Sequence, residues 1–500
     1  MNKKILFLFL IFFLSIYLRW NNYEGITSAD PYYHYRKVDE ILKGEISDID
    51  YLRNPPEGLL YKKNFYHYLV AYSYKLVPSM TLEEYMGYVP ILLSLLSIFI
   101  AYKIGKIFDS CTGIFTAFFT ATTPIIVERT GKSFADTDAI ILCFVLLLIF
   151  LCLKFLITKK IIYLFFLGIT LFLFQTTWEG FWLYTYFFIG FFFFYAVHKR
   201  NIKIFIIPLM AYLIPALIYD KTTPTLLFQF YEYHSSADIV KAKELDTITL
   251  NVIKRLGILL PLGMIGLYLS SEKYKTVFPL LSSFLILSTL TLIGGYRFLF
   301  LFAIPLIILA SIPFSFLVYK LWGKKKKISV CIIGICLILG IFHIYPNGRL
   351  IRGQPSEDLR ECLAWMNKNT PEDSIVLAWW DYGYWIEAIA KRPSFTDNGY
   401  RPLEKVIWTA EVLTSKDIEK LGEYDIDYIL LTERELYDFE IISQHLGKRI
   451  SFVTKSGVVM INEDKKGMLF TKLFLDNARN IKEVELVKTF GKVKLFKILS

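Results

Sequence analysis

The chain has 500 residues, 55% of them hydrophobic and 17% aromatic, with a formal net charge of +11 and a mean hydropathy of +0.45. That balance excludes an ordinary soluble globule and indicates a polytopic α-helical membrane protein with something attached. The basic excess sits in short clusters between apolar runs, not in a stripe with interleaved aromatics, so a nucleic-acid partner is excluded as well.

Met1 to Lys4, followed by the apolar Ile5 to Tyr17, has the outline of a signal peptide. No small-residue cleavage site precedes Arg19-Trp20, and the segment is expected to be an uncleaved first span over 4–20. Further runs long enough to cross a bilayer fall near 86–105, 113–128, 139–157, 161–176, 179–197, 203–219, 253–270, 276–293, 298–320 and 328–345. That makes about eleven spans. Threaded alternately from a cytoplasmic N-terminus, the inner loops collect Lys3 and Lys4, Lys103 and Lys106, Lys159 and Lys160, Lys199 and Arg200, Lys273 and Lys275, and Lys324 to Lys327. Every inner loop is then basic, as the positive-inside rule requires. The odd count puts the outer loops and the tail on the extracytoplasmic side of a multi-pass cell-membrane protein. The expected division is a transmembrane domain over 1–345, with outer loops 21–85, 129–138 and 220–251, and an extracytoplasmic globular domain over 346–500.

The tail alternates helical patterns (357–367, 403–413, 434–445) with strand patterns (375–378, 428–431, 458–461, 493–499), which predicts an α/β domain large enough to bury its own core. Five of the six cysteines, Cys111, Cys143, Cys152, Cys331 and Cys336, lie in or beside apolar runs, and only Cys362 is in the tail. No disulfide framework or zinc spacing is present.

The outer loops carry the candidate chemistry. Asp136 and Asp138 flank Thr137 at the mouth of an apolar span, so two carboxylates can face one divalent cation. Asp30, in Ser28-Ala29-Asp30-Pro31-Tyr32-Tyr33, supplies a third from another loop. An all-oxygen set without Cys or His suits Mg2+ or Mn2+ beside a phosphate-bearing substrate. Arg129 and Arg297, the latter in Gly294-Gly295-Tyr296-Arg297-Phe298, are placed either to anchor at the interface or to bind phosphate. Trp379-Trp380-Asp381-Tyr382-Gly383 sets a large apolar surface beside one acceptor, suited to a group with both a methyl and a hydroxyl. A packing explanation stays open: a core strand, Ser374 to Ala378, running into an aromatic turn closed by Gly383. A transporter with an outer domain is a competing function, but transporters place ionisable residues near the bilayer midplane, not in outer loops. Another polyprenyl-phosphate glycosyltransferase would share the loop aspartates without needing the tryptophans.

Trp379 to Gly383 resembles the signature of the catalytic subunit of oligosaccharyltransferase, of the archaeal and bacterial single-subunit type. Asp30-Pro31 is similar to that family's first acidic motif, with Ser28 at its leading acidic position, and Asp136-Thr137-Asp138 after Arg129 is similar to its second. Trp178-Glu179-Gly180 resembles its Trp-Gly-Gly turn, and Glu244 in Lys241-Ala242-Lys243-Glu244 stands where the family has a loop glutamate. The nearest counterpart of its second hydroxyl-pocket motif is Asp438 to Ile442. The resemblance implies transfer of an oligosaccharide from a dolichyl-type phosphate or pyrophosphate carrier to asparagine in Asn-X-Ser/Thr, with membrane lipid around it and no obligatory partner subunit. It implies Asp30 and Glu244 as catalytic residues and Asp30, Asp136 and Asp138 as metal ligands. Arg297 and Arg129 would lie at the carrier phosphate, and Trp379, Trp380, Asp381, Tyr382 and Gly383 at the acceptor hydroxyl. The chain itself contains no Asn-X-Ser/Thr triplet.

Overall fold

A computed structural model describes residues 3–219, 255–294, 298–322, 353–399 and 402–499, apart from positions 445, 449, 451–452, 456–457, 461–465 and 480. The expected span 328–345, the loop 220–251 with Glu244, and Arg297 lie outside the described residues.

Helices lie at the other expected spans: α1 (Lys3–Arg19), α4 (Leu82–Gly105), α5 (Ser110–Thr122) with α6 (Pro124–Arg129), α7 (Asp138–Thr158), α8 (Ile162–Gln175), α9 (Phe181–Lys199), α10 (Lys203–Tyr219), α11 (Leu259–Lys273), α12 (Phe278–Leu290) and α13 (Leu299–Trp322). Among the described residues, four helices (α4, α7, α9 and Leu299–Val318 of α13) are long and apolar enough to cross a membrane. The run 113–128 is not one helix. Pro124 cannot donate a backbone hydrogen bond and forces extended geometry on Thr123 (φ −63°, ψ 121°), so the chain breaks into α5 and α6. The start of α4 is fixed by a reciprocal cap: Glu84 N donates to Thr81 Oγ1 (3.2 Å) and Thr81 N to Glu84 Oε2 (2.9 Å). Between α1 and α4 come α2 (Asp30–Lys43), the paired β1 (Ile49–Asp50) and β2 (Leu59–Leu60), and α3 (Phe65–Tyr74).

The described chain forms two compact units. The helical unit runs up to Gly25 and resumes at Asn64, continuing through α13. Its helices pack closely where side chains are small: a Cβ on Gly266 of α11 would strike the Leu309 carbonyl of α13. The second unit joins Ile26–Lys63 to the described residues beyond Arg352.

In that second unit follow α14 (Glu357–Asn369), β3 (Val376–Leu377), α15 (Leu403–Thr414), β4 (Tyr428–Thr432), α16 (Arg434–Gln444), β5 (Val453–Lys455), β6 (Val458–Met460), α17 (Leu469–Phe474), β7 (Val484–Phe490) and β8 (Val493–Ile498). The main sheet has the order β3-β4-β8-β7, with β3 parallel to β4 and the other pairs antiparallel. Buried along its whole length, β4 reads as a continuous apolar run, as an inner strand should. Sequence patterning does not anticipate β7, because a bulge between Leu486 and Lys488 breaks its alternation on an edge strand carrying Glu485 and Lys488. The segment after α2 extends this sheet: Arg53 bridges Ser394, Ser394 bridges Val376, and Ser394 N donates to the Leu52 carbonyl at 2.9 Å.

Candidate functional site

In the helical unit, Asp138 is the first residue of α7, where helix amides favour negative charge, and Asp136 sits in the turn before it. Both are buried, 2% and 3% exposed. Asp136 Oδ1 accepts from Thr137 N at 2.6 Å, and Asp138 Oδ2 accepts from Arg129 Nη1 at 3.2 Å. Arg129, the last residue of α6, is itself 1% exposed, so the pair is an internal one.

The loop carrying these groups is pinned at several points. Arg19 Nε donates to Thr130 Oγ1 (2.8 Å) and Arg19 Nη1 to the Ala121 carbonyl (2.8 Å). Lys132 Nζ lies over the rings of Trp20 and Tyr88, 4.7 and 4.9 Å from their centroids. Ser133 takes a left-handed φ of 74° that lets its N donate to the Gly87 carbonyl at 2.8 Å. Tyr66 Oη donates to the Ala135 carbonyl at 3.1 Å, and burial, reinforced by the Asp136 charge, pushes its phenol well above the usual range. Trp178 stacks on Phe174 (5.7 Å), and its indole fills the space a side chain on Gly180 would need.

In the second unit, the signature follows β3 as a 3-10 turn, Trp380–Tyr382. Gly383 caps this turn, its N–H donating to the Trp380 carbonyl. Its φ of −53° is ordinary right-handed helix, and it opens a helical turn, Gly383–Trp385, that continues into a π-helical turn, Ile386–Ala390. Glycine is needed there because a Cβ would run into the Thr396 carbonyl and the Asp397 backbone. Trp379 and Trp380 set their rings 6.1 Å apart at 50°. Half-buried Asp381 accepts from Arg434 Nη2 at 3.0 Å. On α16, the helix that also carries Asp438 to Ile442, Arg434 stands against Asp381; its only sequence signal is its place at the helix start after a buried strand. Beneath the turn, Tyr382 Oη lies 2.8 Å from Thr432 Oγ1, and Thr432 N and Oγ1 both donate to Glu435 Oε2 (2.9 and 2.5 Å). Burial raises the Glu435 carboxyl to about 7, against these hydrogen bonds.

Asp30 is the first residue of α2 and belongs to this same unit, whereas Asp136 and Asp138 belong to the helical one. Among the described residues, no group of three His, Cys, Asp or Glu side chains is gathered in metal-binding range. The donor chemistry at Asp136 and Asp138 nonetheless fits a hard divalent ion: two buried carboxylates, one residue apart, with no thiol or imidazole.

Residues 4–253 match the model of the oligosaccharyl transferase STT3 N-terminal family, and residues 372–452 match the STT3/PglB/AglB core domain. The STT3 subunit of the Saccharomyces cerevisiae dolichyl-diphosphooligosaccharide–protein glycosyltransferase is 37% identical over 89 residues, which span 17% of this chain and only 12% of that subunit. Dolichyl-phosphooligosaccharide-protein glycotransferase 1 of Archaeoglobus fulgidus aligns over 100% of both chains at 22% identity. The crystal structure of an A. fulgidus oligosaccharyltransferase tethered to an acceptor peptide with an NVT sequon superposes with a TM-score of 0.75 at 15% identity, covering 97% of this chain and 79% of that one. The fold is therefore that of a membrane protein with a C-terminal globular domain. With an N-terminal family model that spans half its length and a core-domain model laid over the tryptophan signature, the chain belongs to the STT3/PglB/AglB family of oligosaccharyltransferase catalytic subunits.

Proposed function

We propose that this protein transfers an oligosaccharide from a dolichyl-type phosphate or pyrophosphate carrier to the side-chain amide of asparagine in Asn-X-Ser/Thr, acting as a single-subunit membrane glycosyltransferase. The observation that carries this reading is the signature in its structural setting: at the turn after β3, the half-buried Trp380 and Asp381 follow the buried Trp379, an apolar group beside an acceptor that suits a threonine methyl and hydroxyl. The related A. fulgidus enzyme has been solved with an inhibitory peptide and a dolichol-phosphate, and separately with Zn and sulfate. About eleven spans, an N-terminus inside and the outer loops and tail outside complete the proposal.

In the reaction, the amide nitrogen forms a bond to the anomeric carbon while the bond from that carbon to the carrier phosphate oxygen breaks. An amide is a poor nucleophile because its lone pair is delocalised into the carbonyl. Asp30 and Glu244 would accept hydrogen bonds from the amide N–H groups, weakening that conjugation, and one of them would take the released proton. Arg297 and Arg129 would meet the negative charge left on the carrier. A divalent ion, magnesium or manganese, held by Asp136, Asp138 and Asp30 would supply Lewis-acid stabilisation of that leaving group. Trp379, Trp380 and Asp381, seated by Tyr382 and Gly383, would hold the hydroxyl. A pocket built to hydrogen-bond a hydroxyl rejects analogues that lack it, so Asn-X-Ala is refused without contact to X. Purified protein given lipid-linked oligosaccharide and an Asn-X-Thr peptide, with and without Mg2+ or Mn2+, should glycosylate the peptide only with metal. No transfer under any metal condition would overturn the proposal.

A further inference from the structure

Asp30 and the tryptophan signature are fastened together by buried contacts on either side of Asp30, each supplied by the stretch that follows Gly383. Before Asp30, the Ser28 carbonyl accepts from Trp385 Nε1 at 3.4 Å. After it, the Tyr33 ring stacks on Tyr384, centroids 5.1 Å apart at 30°. The Arg53 guanidinium lies 5.2 and 5.3 Å from those two ring centroids and grips Asp397 through hydrogen bonds of 2.7 and 2.9 Å. Further along α2, Arg36 Nη2 donates to Glu387 Oε2 at 2.8 Å, and Arg36 holds both oxygens of Asp50 at 2.7 and 2.8 Å. Lys37 Nζ completes the cluster, 2.8 Å from Asp50 and 2.8 Å from Glu40.

Glu387 is 0% exposed and Arg36 5%. Ion pairs so deeply buried are costly to assemble and costlier to break, which makes this cluster stiff and not a surface ornament. Glu387 also stands on the π-helical turn, an uncommon conformation kept where surrounding contacts fix it and found often at functional sites.

We infer that Arg36 and Glu387, with Tyr33, Arg53 and Tyr384, are positioning residues that set the spacing between the Asp30 carboxylate and the hydroxyl pocket, and thereby the register in which asparagine and a hydroxyl two residues later are accepted together. This rests on the proposed function. An extended acceptor advances about 3.3 Å per residue, so its hydroxyl-bearing residue lies about 7 Å beyond the asparagine. A misplacement of about 1 Å at the reacting end costs on the order of 100-fold in rate. A pocket that must be filled at both ends at once therefore needs its two ends held in fixed relation, and the clamp does this by joining 28, 33 and 36 to 385, 384 and 387. The role at 387 is a hydrogen-bond acceptor for Arg36 inside a close-packed site, which a neutral amide also fills.

The test uses the full-length protein in detergent with Asn-X-Thr, Asn-X-X-Thr and Asn-X-Ala peptides, reading kcat and KM for peptide, KM for lipid-linked donor, and the thermal midpoint. Glu387→Ala should lower peptide kcat/KM on the order of 100-fold and narrow the preference for Asn-X-Thr over Asn-X-X-Thr, with donor KM unchanged. Glu387→Gln should restore both to within about 3-fold. Tyr384→Leu, which leaves the ion cluster intact, should give the same pattern at about 10-fold and serves if Glu387→Ala does not fold. Unchanged register preference in a folded Glu387→Ala or Tyr384→Leu protein, or a glutamine as damaging as alanine, would overturn the inference. Asp381→Ala separates the two levels. If it leaves the choice of Thr over Ala intact, the reading of the site fails; if it abolishes that choice while the clamp variants keep register, the clamp alone fails.

Discussion

The two units hold their candidate carboxylates by different means. In the helical unit, Asp138 opens a long apolar helix and Asp136 sits in the turn before it; Asp136 accepts from the neighbouring Thr137, and Asp138 from Arg129 a few residues back in the chain. In the second unit, the segment that begins with Asp30 is held by side-chain ion pairs linking residues hundreds of positions apart, as between Arg36 and Glu387. An apolar helical environment tolerates charge only at helix ends with a counter-charge to hand, so its acidic motif is short and local. A globular domain can distribute its charges over residues far apart in the chain.

That contrast can be broken experimentally. The largest effect belongs to Asp136→Ala combined with Asp138→Ala: turnover should fall by at least about 1000-fold and not recover with excess Mg2+ or Mn2+. Residual metal-stimulated activity would break the assignment of metal binding to Asp136 and Asp138. Next, Arg129→Ala removes the arginine paired with buried Asp138 and should destabilise the protein by about 3 kcal/mol in detergent, whereas changing both residues to leucine should restore the midpoint but not the activity. In the second unit, Glu435 has its folded value raised to about 7 from an ordinary 4.5. A carboxyl raised on folding contributes stability that is full below about 4.5 and lost as pH climbs through about 7, on the order of 3 kcal/mol. Glu435→Gln should flatten the thermal midpoint across that window. The smallest effect is at Arg434, a partly exposed partner of Asp381: Arg434→Ala should raise peptide KM by about 5-fold or less and leave donor KM alone.

The same contrast explains what was legible in the sequence. The helices were, because a bilayer demands long apolar runs whose ends are marked by lysines and arginines. The motifs at Asp136 to Asp138 and at Trp379 to Gly383 stand out in the sequence because each is contained in a few consecutive residues. The break at Pro124 was written in the chain as well, but hidden inside a run read for hydropathy alone. Edge strand β7 was not legible, since its bulge and charges blur the alternation. Nor was the packing of Ile26–Lys63 with the C-terminal residues, which depends on ion pairs and ring contacts between distant positions such as Tyr33 and Tyr384. Gly383 was legible as the close of the aromatic turn, but the close approach of Asp397 that also requires glycine there was not.

The central claim is that acceptor selection resides in the signature and is separable from carrier binding. It is tested most directly by measuring, on Asp381→Ala, the preference for threonine over alanine two residues past the asparagine together with the affinity for lipid-linked donor. The account predicts that the preference collapses while donor affinity stays within about 2-fold. A fall in donor affinity with the preference intact would contradict it.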